Sequence, residues 1–322
     1  MPHPLRCALS CAVLALAFIA PALAQGTGPM RLVVPFAAGG PTDIAARVIA
    51  PFLGQAYKRP FIVENKLGAT GAIGTEYVAK SAPDGSTILF GTSSIMAASP
   101  ALSTKLPYDS VKDFAPVSLV AIIENVLVVH PSVPVNNVQE FIAYAKANPD
   151  KLAYGSSGIG STYHLGAELF RNQTGIAYVH VPYKGQAPAA QDLVAGQIQV
   201  MFDAMNSALP NIKSGKVKAL GVASLKRSPD LPSLPTIAEQ GVPGYETNIW
   251  LALFLPAATP APLIERLHAE VGRVMAMPEV RERLAVLGMQ PVTSTPAELA
   301  AYLKSDIAKW SKVVRDGGIK VE

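Results

Sequence analysis

The sequence predicts a two-domain α/β protein, each domain a mainly parallel sheet flanked by helices. Three observations predict it. The chain has 322 residues, too long for one ordinary domain and comfortable for two. Short apolar, β-branched runs alternate with helical patterns, as in strand–helix–strand units whose crossovers make the strands parallel. Two segments, one in each half, pass from a strand through small residues directly into a helix start: Phe36–Asp43 and Gly155–Ser161.

The first 24 residues stand apart from the fold. Arg6 precedes an apolar run from Ala8 to Ala20, and Ala22-Leu23-Ala24 reads as a small-x-small cleavage site before Gln25. That pattern is a secretory signal peptide, and its apolar run falls short of the roughly 20 residues a membrane span needs. Both cysteines, Cys7 and Cys11, lie inside it. The mature chain is therefore expected to lack disulfides, a thiol nucleophile and thiolate metal sites. Cleavage removes Arg6 and takes the formal net charge from +4 to +3. With no Lys/Arg cluster either, the chain lacks a nucleic-acid footprint. Half of the residues are hydrophobic and 16% are charged, which excludes a disordered chain.

Strands are expected at Arg31–Phe36, Phe61–Glu64, Thr87–Gly91, Val126–His130, Lys151–Gly155, Ala177–Val181, Gln197–Phe202 and Ala219–Ala223. Helical patterns lie between them near 42–56, 71–80, 137–147, 161–173 and 187–195. Asn137 with Glu140 marks one helix start and Asn148-Pro149 its end. Thr295-Pro296-Ala297-Glu298 opens a last helix with a capping box, and Leu299, Tyr302, Leu303, Ile307, Trp310 and Val313 recur along it at helical spacing. These are core and cap signals without functional weight.

GxSxG, HExxH, GxxxxGK and GxGxxG are all absent, so the common hydrolase, metalloprotease and nucleotide signatures give no lead. His130, His164, His180 and His268 show no ligand spacing and read as packed or surface residues. No metal or cofactor is expected. The two strand–loop–helix segments carry the functional signal. A loop of small residues at a helix N-terminus can present free N–H groups to an anion, with the helix dipole behind them. In open α/β sheets ligands lie at the carboxyl ends of strands. Small residues also simply make tight turns, but a matching loop in each half favours binding. The candidate residues are Phe36, Ala38, Gly39, Gly40, Thr42 and Asp43 in the first loop, and Ser156, Ser157, Gly160, Ser161 and His164 in the second. Thr92 and Ser93 end a third strand and add hydroxyls. Tyr183 and Lys184 follow a strand, and Lys184 reads either as a ligand contact or as a solvated lysine. Asp203 ends the run Ile198–Phe202, where it can accept from a ligand or cap the next element.

Several ordered motifs carry a family resemblance. They are Leu32–Gly40 with Asp43 and Arg47, then Leu106–Asp109 with Lys112–Val117, then Gly155–Gly158 with His164-Leu165, and then His180–Gly185. Gly215–Leu220, Leu234–Thr236 with Glu239, and Gly241–Tyr245 complete the set. With these the chain resembles the substrate-binding receptors of tripartite tricarboxylate transporters, also called the Bordetella uptake gene receptors. The resemblance runs from about Arg31 to the last helix. It implies a Venus-flytrap periplasmic binding protein of type II-like topology, with domain I at 25–127 plus 253–322 and domain II at 128–252. It further implies a hinge near Leu127–His130 and Trp250–Phe254, and a small organic acid captured between domains for the membrane permease subunits of a tripartite transporter. The first loop would approach the ligand partly through water and the second would hold a carboxylate. Thr162-Tyr163 replaces the proline the family often has after the serine, so Tyr163 is a candidate to reshape the pocket. The expected protein is a periplasmic monomer without catalysis. The alternatives are a sensor that presents its ligand to a membrane signalling partner, or a serine hydrolase using Ser157 or Ser161 with His164 as base.

Overall fold

The computed structural model describes residues 28–103, 105–149 and 151–319; the expected signal peptide and its cleavage site lie outside the described residues. The elements run β1 (Met30–Val34), α1 (Pro41–Tyr57), β2 (Phe61–Asn65), α2 (Ala72–Ala79), β3 (Thr87–Thr92), α3 (Ser99–Leu102), β4 (Phe114–Ile123) and β5 (Asn125–Val129). They continue with α4 (Val138–Ala147), β6 (Ala153–Ser156), α5 (Thr162–Thr174), β7 (Val179–Pro182), α6 (Gln186–Val194), β8 (Val200–Ala204), α7 (Met205–Lys213) and β9 (Lys218–Val222). The chain closes with β10 (Ile249–Pro256), α8 (Ala261–Ala276), α9 (Pro278–Val286), β11 (Gln290–Pro291) and α10 (Pro296–Asp316).

The strands form two sheets, ordered β11-β4-β10-β3-β1-β2 and β7-β6-β8-β5-β9. The expected parallel ladders are β2-β1-β3 and β7-β6-β8. Each sheet is completed by antiparallel strands: β10 against β3 and β4 in the first, β5 against β8 and β9 in the second. Both sheets are therefore mixed. The antiparallel part follows from strands that arrive directly from the other sheet, without a covering helix between. Membership passes from the first sheet to the second across Glu124, between β4 and β5, and returns between Val222 and Ile249.

Alternation along the central strands buries both faces. In β1, Leu32 and Val34 meet Ile49 and Leu53 of α1 with Leu267 and Val271 of α8, while Val33 faces Val78 of α2 and Leu303 and Trp310 of α10. In β5, Leu127 and Val129 meet Phe141 of α4 and Phe170 of α5, and Val126 and Val128 meet Leu193 of α6 and Ala208 of α7. The caps expected from sequence form: the Asn137 side chain accepts from the Glu140 N–H, and Thr295 and Glu298 make a reciprocal capping box. Strands β4 and β10 are missing from the sequence expectation. Phe114–Ile123 and Ile249–Pro256 are near-continuous apolar runs, in which periodicity does not separate a buried strand from a helix.

This topology fixes where a ligand can sit. From β1 the chain crosses through α1 to β2 on one side and then returns to β3 on the other; β6 stands likewise between β7 and β8. The carboxyl ends of β1/β3 and β6/β8 are therefore switch points, where the connections diverge and leave a crevice.

Candidate functional site

The loop after β1 is held by an acid. The Asp43 carboxylate, 2% exposed, accepts from Gly39 N–H at 2.9 Å, from Arg47 Nε at 2.9 and 3.1 Å, and from Asn65 Nδ2 at 2.9 Å. Asn65 also donates to the Phe36 carbonyl, which ties the loop to the end of β2. The Arg47 hydrogen bond, helped by those from Gly39 and Asn65, holds the Asp43 carboxyl down at about 2. Asp43, expected to face a ligand, is thus occupied in shaping the loop. Gly39 has φ +81, and a Cβ there would meet no atom within 4 Å, so its outer side is open. Gly40 caps α1 at φ −76, and no side chain caps that helix. Ala38 is exposed, Thr42 is buried in the first turn, and Phe36 is half-buried. Thr92 pairs with the Ser94 hydroxyl at 2.7 Å, and Ser93 is fully buried with its Oγ unpartnered among the described residues.

The loop after β6 turns at two left-handed glycines, Gly158 at φ +127 and Gly160 at φ +78. Ser156 is fully buried. Its Oγ accepts from Gly158 N–H, lies 3.1 Å from the Gly158 carbonyl and 2.7 Å from His180 Nε2, so it is occupied inside the loop. Gly160 N–H donates to His164 Nδ1 at 3.1 Å. Ser161 caps α5 by accepting from His164 N–H, which leaves its hydroxyl hydrogen free to donate. Ser157 is half-buried. Burial, with His180 and Arg171 adding to it, pushes His164 down to about 4, and burial alone takes His180 to about 4.

Three other expected residues turn elsewhere or are occupied. The Tyr183 hydroxyl donates to Asp192 Oδ2 at 2.7 Å, back onto α6. Lys184 is exposed. Asp203, 2% exposed, accepts from Gln186 Nε2 at 2.7 Å; burial pushes its carboxyl up, and hydrogen bonds from Gln186 and Ser207 offset part of that rise. The hydrolase alternative loses its base, because His164 offers Ser161 only its backbone N–H while its ring takes Gly160. Glu168, one turn along α5 from His164, accepts from the Tyr154 hydroxyl and pairs with Arg171.

Both loops reach the same large hydrophobic cluster. Tyr163, in the first turn of α5, and Phe36, in the loop after β1, both pack against the hydrophobic cluster under the first sheet, which also takes in Ala204 at the end of β8. Asn206 of α7 donates to the Leu287 carbonyl, after α9, at 3.0 Å, a hydrogen bond between the halves built on the two sheets. Arg47, Asn65 and Gln186 escaped the sequence reading as site residues; Asn65, a polar residue closing a strand beside the loop, was the one visible signal. A cavity of about 800 Å³ lies elsewhere, between α1 and β2, lined by Pro51, Gly54, Lys58 and Phe61 among others. Among the described residues no cluster of three acid or imidazole side chains could hold a metal ion, and no helix is long and apolar enough to cross a membrane.

Two mixed sheets flanked by helices and joined by two crossovers, with small-residue loops at the strand ends, define the fold of periplasmic binding proteins. Residues 45–319 match the model of the tripartite tricarboxylate transporter family receptors, and the chain belongs to that family. It is a solute-binding receptor and not an enzyme. The Rhodopseudomonas palustris protein Rpa4515 with adipate is 38% identical over 91% of this chain and 98% of its own, with a TM-score of 0.77. MatC of the same organism with bound malate is 36% identical over 89% and 98%, with a TM-score of 0.73. The periplasmic binding protein BugD is 36% identical over 92% and 100%, with a TM-score of 0.74.

Proposed function

We propose that this receptor captures a small dicarboxylate between the loop after β1 and the loop after β6, and delivers it to the membrane permease subunits of a tripartite transporter. The observation that carries the reading is that a loop of small residues at a switch point of each sheet opens a helix, with Phe36 and Tyr163 beside the two loops packing on one hydrophobic cluster. The uncapped start of α1 and the free Ser157 and Ser161 hydroxyls are donors suited to carboxylate oxygens. Asp43 and Asp203 are engaged with protein donors and leave room for an anion. Rpa4515 with adipate and MatC with malate support the ligand class. On this reading residues 1–24 direct export and are removed, and the two domains are 25–127 plus 253–322 and 128–252, each boundary moved a few residues earlier by the sheet changes at Glu124 and before Ile249.

A thermal-shift screen against adipate, malate and other dicarboxylates tests it, with the diamide of each acid as control. An acid at 100 times its Kd stabilises by about 2.7 kcal/mol. Stabilisation by an acid and not by its diamide is expected; no response to any acid, or equal response to the diamides, overturns the reading.

A further inference from the structure

The loop after β6 is held from behind by two imidazoles. The His164 and His180 rings stack with centroids 4.2 Å apart, and His180 stacks in turn on Tyr154 at 4.7 Å. Each ring serves one of the loop's left-handed glycines. His164 Nδ1 accepts directly from Gly160 N–H. His180 Nε2 holds the Ser156 hydroxyl, which accepts from Gly158 N–H. Gly158 and Gly160 flank Ile159 and immediately border Ser157 and Ser161, so the direction of both free serine hydroxyls is set by these two anchor points.

We infer that His164 and His180 are positioning residues: stacked and uncharged, they hold Gly160 and, through Ser156, Gly158, and so set the shape in which the loop meets an anion. The link to an anion rests on the dicarboxylate reading above; the hold on the loop does not. Acceptance from Gly160 requires an unprotonated Nδ1, so the neutral ring carries its proton on Nε2. Protonating Nδ1 turns two donors toward each other and removes the bond. His180 is less exposed to this failure, since a protonated Nε2 still donates to the Ser156 oxygen. The surroundings oppose protonation of the pair. Charging both rings sets like charges about one ring-stacking distance apart, and Arg171 of α5 adds a third cation, balanced by Glu168. Tyr154 of β6 and Tyr178 before β7 close the inner side, and the far side, a cavity of about 270 Å³, is walled by Gly317 and Ile319 after α10. Burial foremost, with the neighbouring cations adding to it at His164, holds both rings down at about 4.

The test uses amide exchange and imidazole titration by NMR on the ligand-free protein. His164→Phe keeps the stack and deletes the acceptor; His164→Asn places an amide oxygen near the lost Nδ1. Gly160 protection is expected to fall about tenfold in His164→Phe, the scale of one lost hydrogen bond, and to recover in His164→Asn. In the wild type, Gly160 protection is expected to fall in step with the His164 titration. Unchanged Gly160 protection in His164→Phe, or a His164 that titrates near 6.5 with Gly160 unaffected, overturns the inference. If neither histidine variant folds, the wild-type titration decides alone. Calorimetry with adipate and malate at pH 7, where the diacids stay ionised, on the wild type, His164→Phe and His164→Asn separates the two readings. Binding weakened in His164→Phe and recovered in His164→Asn supports the pair's role at the site. Affinity unchanged in His164→Phe while Gly160 loosens overturns that role. Failure of both diacids to bind the wild type counts against the dicarboxylate reading, and the amide data still decide the hold on the loop.

Discussion

Replacing Asp43 by Asn tests whether the first loop is built around one buried carboxylate. The carboxylate takes hydrogen bonds from Gly39, Arg47 and Asn65 at 2.9 Å each. Lowering its pKa from 3.8 to about 2 corresponds to about 2 kcal/mol of stability at neutral pH. Arg47 is half exposed, and solvent screening reduces that share to about 1–2 kcal/mol. A second route gives a similar figure. Asn keeps one acceptor oxygen and turns its NH2 toward a donor, and a buried unsatisfied donor costs about 1–3 kcal/mol. Asp43→Asn should therefore lose about 2 kcal/mol in urea unfolding at pH 7. The lowered pKa gives the sign with pH: the wild-type advantage is full above 3.8 and lost as pH falls through about 2, so the gap between the proteins narrows in acid. A gap under about 0.5 kcal/mol at pH 7, or one that widens on acidification, would refute the argument.

Other substitutions separate backbone from packing effects. Gly39→Ala forces a Cβ into a left-handed conformation and should cost about 1–2 kcal/mol, whereas Gly40→Ala, at φ −76 with its nearest neighbour at 3.4 Å, should stay within about 0.5 kcal/mol; equal losses in thermal unfolding would contradict this. Gly288 has φ +68, and a Cβ there would sit 2.1 Å from Asn206 Cβ. Gly288→Ala is therefore expected to cost about 2 kcal/mol or more, and Asn206→Gly should restore the part due to the clash, as measured in a double-mutant cycle.

Strand ends were legible in the sequence, and side-chain partners were not. The two small-residue loops do lie at strand ends, because Gly and Ser after a β-branched run have few other uses. What the sequence concealed is which polar groups those loops consume internally. Asp43 meets Asn65, 22 positions on, and Ser156 meets His180, 24 positions on. Both partners come from the next strand of a parallel pair, one crossover away. Tyr183 looked like a cleft residue from its place after β7, yet its ring turns back to Asp192. The antiparallel strands β4 and β10 stayed hidden for a different reason: burial on both faces erases the alternation that marks a strand.

Glu124 stands alone between the two sheets, and its setting decides what its charge does. It is 4% exposed, and Ser224 Oγ lies 3.1 Å from its Oε1. Burial pushes its carboxyl up; hydrogen bonds from Ser228, Ser224 and Gln290 pull it partly back, while the Asp230 charge adds to the rise. Gln290 belongs to β11 of the first sheet, and Ser224 and Ser228 come after β9 of the second, so this one carboxyl touches both sides of the crossover. A raised folded pKa means the native state favours the protonated acid. Its contribution is full below the unfolded value of about 4.5 and is lost as pH rises through the folded one. Gln in its place keeps the acceptor and carries no charge. Its NH2 has a partner ready, because the Ser224 hydroxyl can donate to the Lys226 carbonyl at 2.7 Å and accept from the amide. Glu124→Gln should therefore stabilise the protein at pH 7 and give no gain below pH 4.5. Urea unfolding across that range measures the difference, and a variant less stable than wild type at pH 7 would show that the ionised carboxylate holds the crossover.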